Sequence, residues 1–176
     1  MKLMAINTDP DIHKLVMCAN VFIRRDDGKF LVLRRSPLKK FLPNYVHPIG
    51  GKIDLDEDPL TAAKREVREE TELEIKNMKI EAVINELRPE LDKDENWLIF
   101  HFSADYESGN LKETEEGELI WLTKQEIYDS MLFPSVRQVI GDIFDEGKGT
   151  VFVTFKYDGN PYDGKIITVA REKCEV

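Results

Sequence analysis

Apolar residues crowd positions 15–24 (LVMCANVFIR) and 30–35 (FLVLRR), with Arg25-Asp26-Asp27-Gly28-Lys29 between them. Two β-rich runs joined through Asp-Gly predict a hairpin, because that dipeptide supplies the positive φ of a tight reversal. Positions 36–51 break the pattern with Pro37, Pro43, Pro48 and the Gly50-Gly51 pair, so they read as loop with one short strand near 45–47. A helix follows, since Asp58 can cap it, Pro59 suits its first turn and 60–71 holds no breaker. Positions 79–87, 96–106 and 118–122 read as strands between polar loops. Thr123 with Glu126 three residues on is the capping-box pattern, which predicts a short helix over 123–128. Val136, Val139, Ile140 and Ile143 recur at helical spacing inside a second helix over 133–144. Runs 150–157 and 165–171 predict a closing hairpin around the turn-rich 158–164. No repeat or linker divides the chain, so the expectation is one α+β domain over 1–176, a mixed sheet with few helices.

Composition narrows the class. A chain of 176 residues with 41% apolar content can bury one sizeable core, and no apolar run approaches the ~18 residues of a membrane span. Positions 1–14 lack the basic stretch, apolar core and cleavage site of a secretory leader, so a cytoplasmic location is expected. With 25 basic against 34 acidic side chains the net charge is -9, which argues against a nucleic-acid polymer as partner. A small phosphate-bearing ligand would need a local device. Cys18 and Cys174 share no short spacing, and His13, His47 and His101 are too dispersed to join them in a zinc site. Oligomeric state is not legible from an acidic surface.

The chemistry concentrates at 51–73, GKIDLDEDPLTAAKREVREETEL. On a helix turning about 100° per residue, Glu66, Glu69 and Glu70 fall within a sector of roughly 100°, with Ala62 and Ala63 on the same face one turn earlier. Such like charges repel by ~0.2–0.5 kcal/mol per exposed pair and by more where water is excluded. Arg65 can pair with Glu69, and Arg68 with Glu72, but Glu66 and Glu70 have no base at the favoured helical spacing. A divalent hard cation would supply the missing charge, and Mg2+ is commonly held by carboxylates completed with water and substrate phosphates. The alternative is a solvated acidic helix face.

In register, Gly51, Glu57, Arg65, Glu66, Val67, Glu69, Glu70 and Leu73 resemble the motif of the Nudix hydrolases, Gly-x5-Glu-x7-Arg-Glu-aliphatic-x-Glu-Glu-x-Gly-aliphatic. One position departs, with Glu72 where the family has Gly at the helix exit, a place that commonly takes positive φ. The resemblance implies a mixed sheet sandwiched between helices and divalent-metal hydrolysis of a nucleoside diphosphate linked to another group. It implies Mg2+, with Mn2+ as a substitute, held by Glu66, Glu69 and Glu70 with Glu57 as auxiliary ligand. Arg65 becomes an orienting partner, and Glu69 or Glu66 the general base. Many members add an acidic residue from a later loop, for which Glu115, Glu116 and Glu118 are candidates.

Substrate choice must come from outside the helix. Arg34 and Arg35 end a strand, where alternation sends one of them toward the cleft to meet phosphate. Lys52 beside the Gly50-Gly51 pair is better placed than Lys39 or Lys40. Phe133-Pro134, Gln138 and the closing hairpin resemble the C-terminal part of oxidised-purine nucleoside triphosphate diphosphatases, and by that resemblance His47 and Asp129 become base-reading positions. Trp97, Phe100 and Phe102, sharing one strand, read as sheet packing, with an aromatic at the cleft edge stacking on a purine as the alternative. The expectation is a purine nucleoside triphosphate, oxidised or not, cut to monophosphate and pyrophosphate. Pro89 stands where ADP-ribose-type members often carry a proline, so ADP-ribose or a nucleotide sugar is the alternative, and a non-catalytic nucleotide-binding module the third reading.

Overall fold

The computed structural model describes residues 14–90, 93–112, 114, 116–145 and 149–172. Among these residues, nine strands and three helices follow in the order β1 (Leu15–Arg24), β2 (Phe30–Arg35), β3 (Val46–His47), β4 (Ile49–Lys52), α1 (Pro59–Thr71), β5 (Glu74–Leu87), β6 (Asn96–Ser108), β7 (Gly117–Leu122), α2 (Lys124–Asp129), α3 (Pro134–Phe144), β8 (Thr150–Tyr157) and β9 (Gly164–Glu172). The sheet runs β3-β2-β1-β6-β5-β8-β9, with β4 on β1 and β7 on β2. β1–β6 and β5–β8 are parallel and the other pairs antiparallel, so the sheet is mixed, in an α+β fold. Among the described residues, no helix is long and apolar enough to cross a membrane.

Two cores flank the sheet. Val21, Ile23, Leu31 and Leu33 pack with Ala62, Ala63 and Val67 of α1 on one side. Phe22, Phe30, Val32 and Phe155 pack with Val136, Val139 and Ile140 of α3 on the other. Alternation along each strand assigns the two sets. Ala62 and Ala63 are fully buried in the α1 core, and their small side chains let the helix lie close to β1 and β4.

Local chemistry explains the ends of the elements. Gly28 takes φ 80 in the β1–β2 turn, closed by Gly28 N donating to Arg25 O at 2.9 Å. Asp58 Oδ1 accepts from Leu60 N at 2.9 Å and Thr61 N at 3.0 Å, which caps α1. Both bonds of the Thr123–Glu126 capping box are present at α2. Glu72 adopts φ 60 and ψ 19, a left-handed helix exit of the kind that favours glycine.

Two stretches differ from the sequence expectation. Positions 49–52 form β4 rather than loop, registered against 18–21 of β1. A Cβ on Gly50 would stand 2.1 Å from Ala19 O, so only glycine permits this approach. β5 begins at Glu74, not at 79, and its early part hides behind Lys76, Asn77 at φ 53, and register shifts between 76 and 79. The geometry that opens the site is a fork on one edge of β1. β2 holds Ile23 and Arg24, then diverges, and β4 takes the same edge at 18–21.

Candidate active site

β4 presses its glycines against α1. A Cβ on Gly51 would lie 2.6 Å from Glu66 Oε1, and Gly50 N donates to Glu70 Oε2 at 3.3 Å. The missing side chains therefore bring two half-buried carboxylates up to strand backbone. Burial raises the pKa of Glu66, against the pull of Arg65. Burial, with Glu66 beside it, pushes Glu70 up to about 7.

Arg65 organises the group. Its Nε and Nη2 donate to the two oxygens of Glu57 at 2.8 Å each, Nη1 to Glu66 Oε1 at 2.8 Å and Glu69 Oε2 at 3.2 Å, and Nη2 to Lys52 O at 3.1 Å. All the N–H donors of the guanidinium are engaged in a fixed fork. Hydrogen bonding to Arg65 holds Glu57 below the usual carboxylate range. The expected Arg65–Glu69 pair is present, and Glu66, which has no base at the favoured helical spacing, is met instead by its immediate neighbour Arg65, whose guanidinium is turned by its bonds to Glu57. Arg68 pairs with Glu74, not Glu72, because the left-handed turn at Glu72 carries Glu74 alongside.

Glu66, Glu69 and Glu70 each keep one oxygen without a hydrogen bond among the described residues: Oε2, Oε1 and Oε1. This set of hard anionic donors fits a divalent cation. Among the described residues no three His, Cys, Asp or Glu side chains stand close enough to enclose an ion by themselves, so water and ligand oxygens would have to complete its shell. Both oxygens of Glu57 are bound to Arg65, which makes it an orienting partner in this geometry. Of the later-loop candidates, Glu116 pairs with Lys39 and lies near enough to raise Glu70, and Glu118 is bound to Arg34 at 2.8 Å. Glu115 and Cys174 lie outside the described residues.

The same two glycines line a cavity of about 200 Å³ on the α3 side, with Arg35, His47 and Lys52 among its walls. Arg35 therefore faces the cleft and Arg34 does not. Arg35 Nε donates to Phe41 O at 3.1 Å, and the guanidinium lies 5.7 Å from the Phe133 ring centroid. His47 Nδ1 donates to Pro48 O at 2.6 Å, and burial, aided by Arg35, drives the ring down to about 4, so it is neutral at pH 7. Asp129 is not brought to this cavity. Its carboxylate accepts from Gln125 at 3.1 Å and lines a separate hollow with Tyr45, Arg137 and Tyr162, beyond Phe133.

Several lining residues are not read from the sequence as part of the site, among them Glu86, Ser135 and Phe41, and Trp97 reads first as sheet packing. Trp97 pairs with Val16 and faces the α3 side, whereas Phe100 and Phe102 pair with Ala19 and Val21 and face α1. Odd against even position on the strand is the signal that separates them. Glu86 continues the buried register of Ala82 and Ile84, and a carboxylate on an inward-facing position is the cue that was available. Burial pushes it up to about 7.

A family model described as NUDIX domain matches residues 14–143. The Nudix hydrolase YvcI of Bacillus subtilis strain 168 is 31% identical over 137 residues, which is 77% of this chain and 83% of that protein. A Nudix hydrolase of Deinococcus radiodurans is 36% identical over 72 residues, 40% of this chain and 42% of its own length. Among solved structures, a MutT protein from Bacillus halodurans superposes with a TM-score of 0.71 at 22% identity, over 88% of this chain and 96% of that one. A MutT protein from Methanosarcina mazei gives 0.58 at 23% identity, over 75% and 91%. The two structures speak for the fold. Together with the helix motif, the family match and the Bacillus subtilis relative show that the chain belongs to the Nudix hydrolases, enzymes that cut pyrophosphate bonds and generally use divalent metal ions.

Proposed function

We propose that this hydrolase cuts a purine nucleoside triphosphate, oxidised or not, to the monophosphate and pyrophosphate, with Mg2+ as the preferred cation and Mn2+ as a substitute. The observation that carries the reading is the join between two half-sites: Gly50 and Gly51 face the carboxylates of α1 on one side and line the aromatic-walled cavity on the other. A planar base seated between Phe133, Phe41 and Trp97 would set its phosphates over the glycines.

Each residue has a physical task. Arg35 and Lys52 offset the charge of the incoming phosphates in a chain of net charge -9. Glu66, Glu69 and Glu70 would hold the cation, which when bound neutralises phosphate charge and lowers the pKa of an attacking water. Arg65 fixes the directions of Glu66 and Glu69. Glu69, with its side chain 61% exposed, is the carboxylate best reached by a water and takes its proton, with Glu66 the alternative base. A free small nucleotide suits this acidic surface better than a nucleic-acid polymer, and a cytoplasmic setting supplies it.

The test is steady-state hydrolysis of dGTP, 8-oxo-dGTP, 2-hydroxy-dATP, ADP-ribose and a nucleotide sugar, with Mg2+, Mn2+ or EDTA, separating the products. Pyrophosphate from a purine triphosphate, abolished by EDTA and restored by Mg2+, is the expected result. Preference for ADP-ribose would overturn the substrate, and absence of turnover on the whole panel would overturn catalysis in favour of a binding module.

A further inference from the structure

Among the described residues, four buried polar atoms of the cavity have no hydrogen bond of normal geometry, although Ser135 lies near enough to Glu86 to favour its ionised form: His47 Nε2, Glu86 Oε1, Trp97 Nε1 and Ser135 Oγ. Native proteins rarely leave such groups unpaired unless something else completes them. Their roles are fixed by what their other atoms do. Pro48 O can only accept, so His47 Nδ1 carries the hydrogen and the neutral ring offers Nε2 as an acceptor. Tyr157 Oη donates to Glu86 Oε2 at 3.1 Å, which orients the carboxylate and leaves Oε1 as a second acceptor. Trp97 Nε1 is a donor only. Ser135 can serve either way.

We infer that Glu86, Trp97 and His47 read the edge of the base, with Tyr157 as the positioning residue for Glu86, and that they select a purine edge carrying two N–H donors and one carbonyl acceptor. Glu86 and Trp97 are cross-strand partners in the β5–β6 register, so an acceptor and a donor stand side by side, as an adjacent ring N–H and C=O require. Guanine offers this edge through its 2-amino group, N1–H and O6, and 8-oxoguanine keeps it. The 2-oxo form of 2-hydroxyadenine offers the same set through its 6-amino group, N1–H and O2. Adenine has one amino donor beside a ring acceptor, which would face the Glu86 carboxylate unpaired. Burial disfavours the Glu86 carboxylate and pushes it up to about 7, while hydrogen bonding from Ser135 and Tyr157 opposes that shift, so a substantial fraction is ionised at neutral pH and above. The closing hairpin thereby reaches the site through Tyr157.

This inference rests on the proposed seating of a base in the cavity, and the experiment keeps the two separable. The kcat/KM ratios dGTP:dATP and 2-hydroxy-dATP:dATP are measured for the wild type, Glu86→Gln and Tyr157→Phe, with binding of dGMP, 2-hydroxy-dAMP and dAMP measured by calorimetry. The expected wild-type ratios exceed ~10, and Glu86→Gln collapses them by at least ~10-fold, the scale of losing one base-edge contact. Tyr157→Phe narrows the ratios less, and does so through KM. A guanine preference that survives Glu86→Gln in a folded variant overturns the inference, as does equal binding of dGMP and dAMP by the wild type. If triphosphates are not cut yet dGMP still binds in preference to dAMP and loses that preference in Glu86→Gln, the substrate reading fails and base selection stands. If triphosphates are cut with no base preference, the converse holds. The two donor–donor–acceptor bases are told apart by which of them gains most in the same measurements.

Discussion

Glu86→Gln should change the pH dependence of stability in a direction set by the structure. Glu86 is 3% exposed, with Tyr157 on one oxygen and no cation facing it; the groups around it are Tyr157 of β8, Ser135 of α3, and Cys18 of β1. Burial pushes the carboxyl from 4.5 up to about 7. Between those values the folded state holds a proton that the unfolded state has released, so stability falls as pH rises through the window and levels off above about 7. At 1.36 kcal/mol per unit, this amounts to about 3 kcal/mol, a large share of the 5–15 kcal/mol of a typical domain. Glutamine keeps the shape, accepts from Tyr157 and does not titrate.

The stability of Glu86→Gln relative to the wild type should therefore rise by about 3 kcal/mol between pH 4.5 and 8. The comparison must be differential because other groups oppose the trend. His47 and His101 are driven down by burial to about 4 and about 3, so each adds stability as pH rises from those values toward 6.5. Those contributions are common to both proteins and cancel. Urea unfolding of the pair at half-unit pH steps provides the assay. Parallel curves, differing by less than ~1 kcal/mol across the range, would refute a raised Glu86.

Three other outcomes follow from the site and its frame. Glu69→Gln should lower kcat at least ~10²-fold while melting close to the wild type, since its side chain is largely exposed; near-native turnover would remove Glu69 from the mechanism. Gly51→Ala should cost on the order of 10² in kcat, because the added Cβ forces Glu66 Oε1 from a 2.6 Å approach, and an unchanged rate would show that the carboxylate need not sit there. Glu72→Gly should stabilise the fold by about 0.5–1 kcal/mol in thermal or urea melts, as glycine tolerates the φ 60 exit of α1 and the lost contact to Lys112 is long, at 3.9 Å; a lower melting point would contradict this.

Local chemistry was legible and long-range approach was not. The Asp-Gly hairpin, the Asp58 cap and the Thr123–Glu126 box involve groups within a few residues, so their geometry follows from sequence spacing. β4 was hidden because Gly50 and Gly51 have no strand preference; they form a strand because β1 comes close enough to exclude any side chain. The helix half of the site could be read for the same local reason, since Glu66, Glu69 and Glu70 lie at fixed angles on one helix. The cavity half could not. Glu86, Trp97, Ser135 and Tyr157 belong to four separate elements; the antiparallel β5–β6 and parallel β5–β8 pairings bring the three strand residues together, and α3 adds Ser135. Only the parity of Glu86 and Trp97 along their strands carried any trace of it.

The charge balance around α1 explains how one helix carries these carboxylates and still leaves a task for a cation. Arg65 is a single positive group against Glu57, Glu66, Glu69 and the nearby Glu70, so the cluster keeps excess negative charge even with every guanidinium donor engaged. Glu70 has no cationic partner among the described residues, and burial, with Glu66 beside it, pushes it up to about 7. Arg65 holds the carboxylates in place without satisfying them: it takes one oxygen each from Glu66 and Glu69 and leaves the other free. A lysine there would supply the same charge but not the fork that grips Glu57 while reaching two further carboxylates and the Lys52 carbonyl. The arginine therefore fixes the direction of these carboxylates, and the remaining negative charge would attract a divalent ion of the kind the family generally uses.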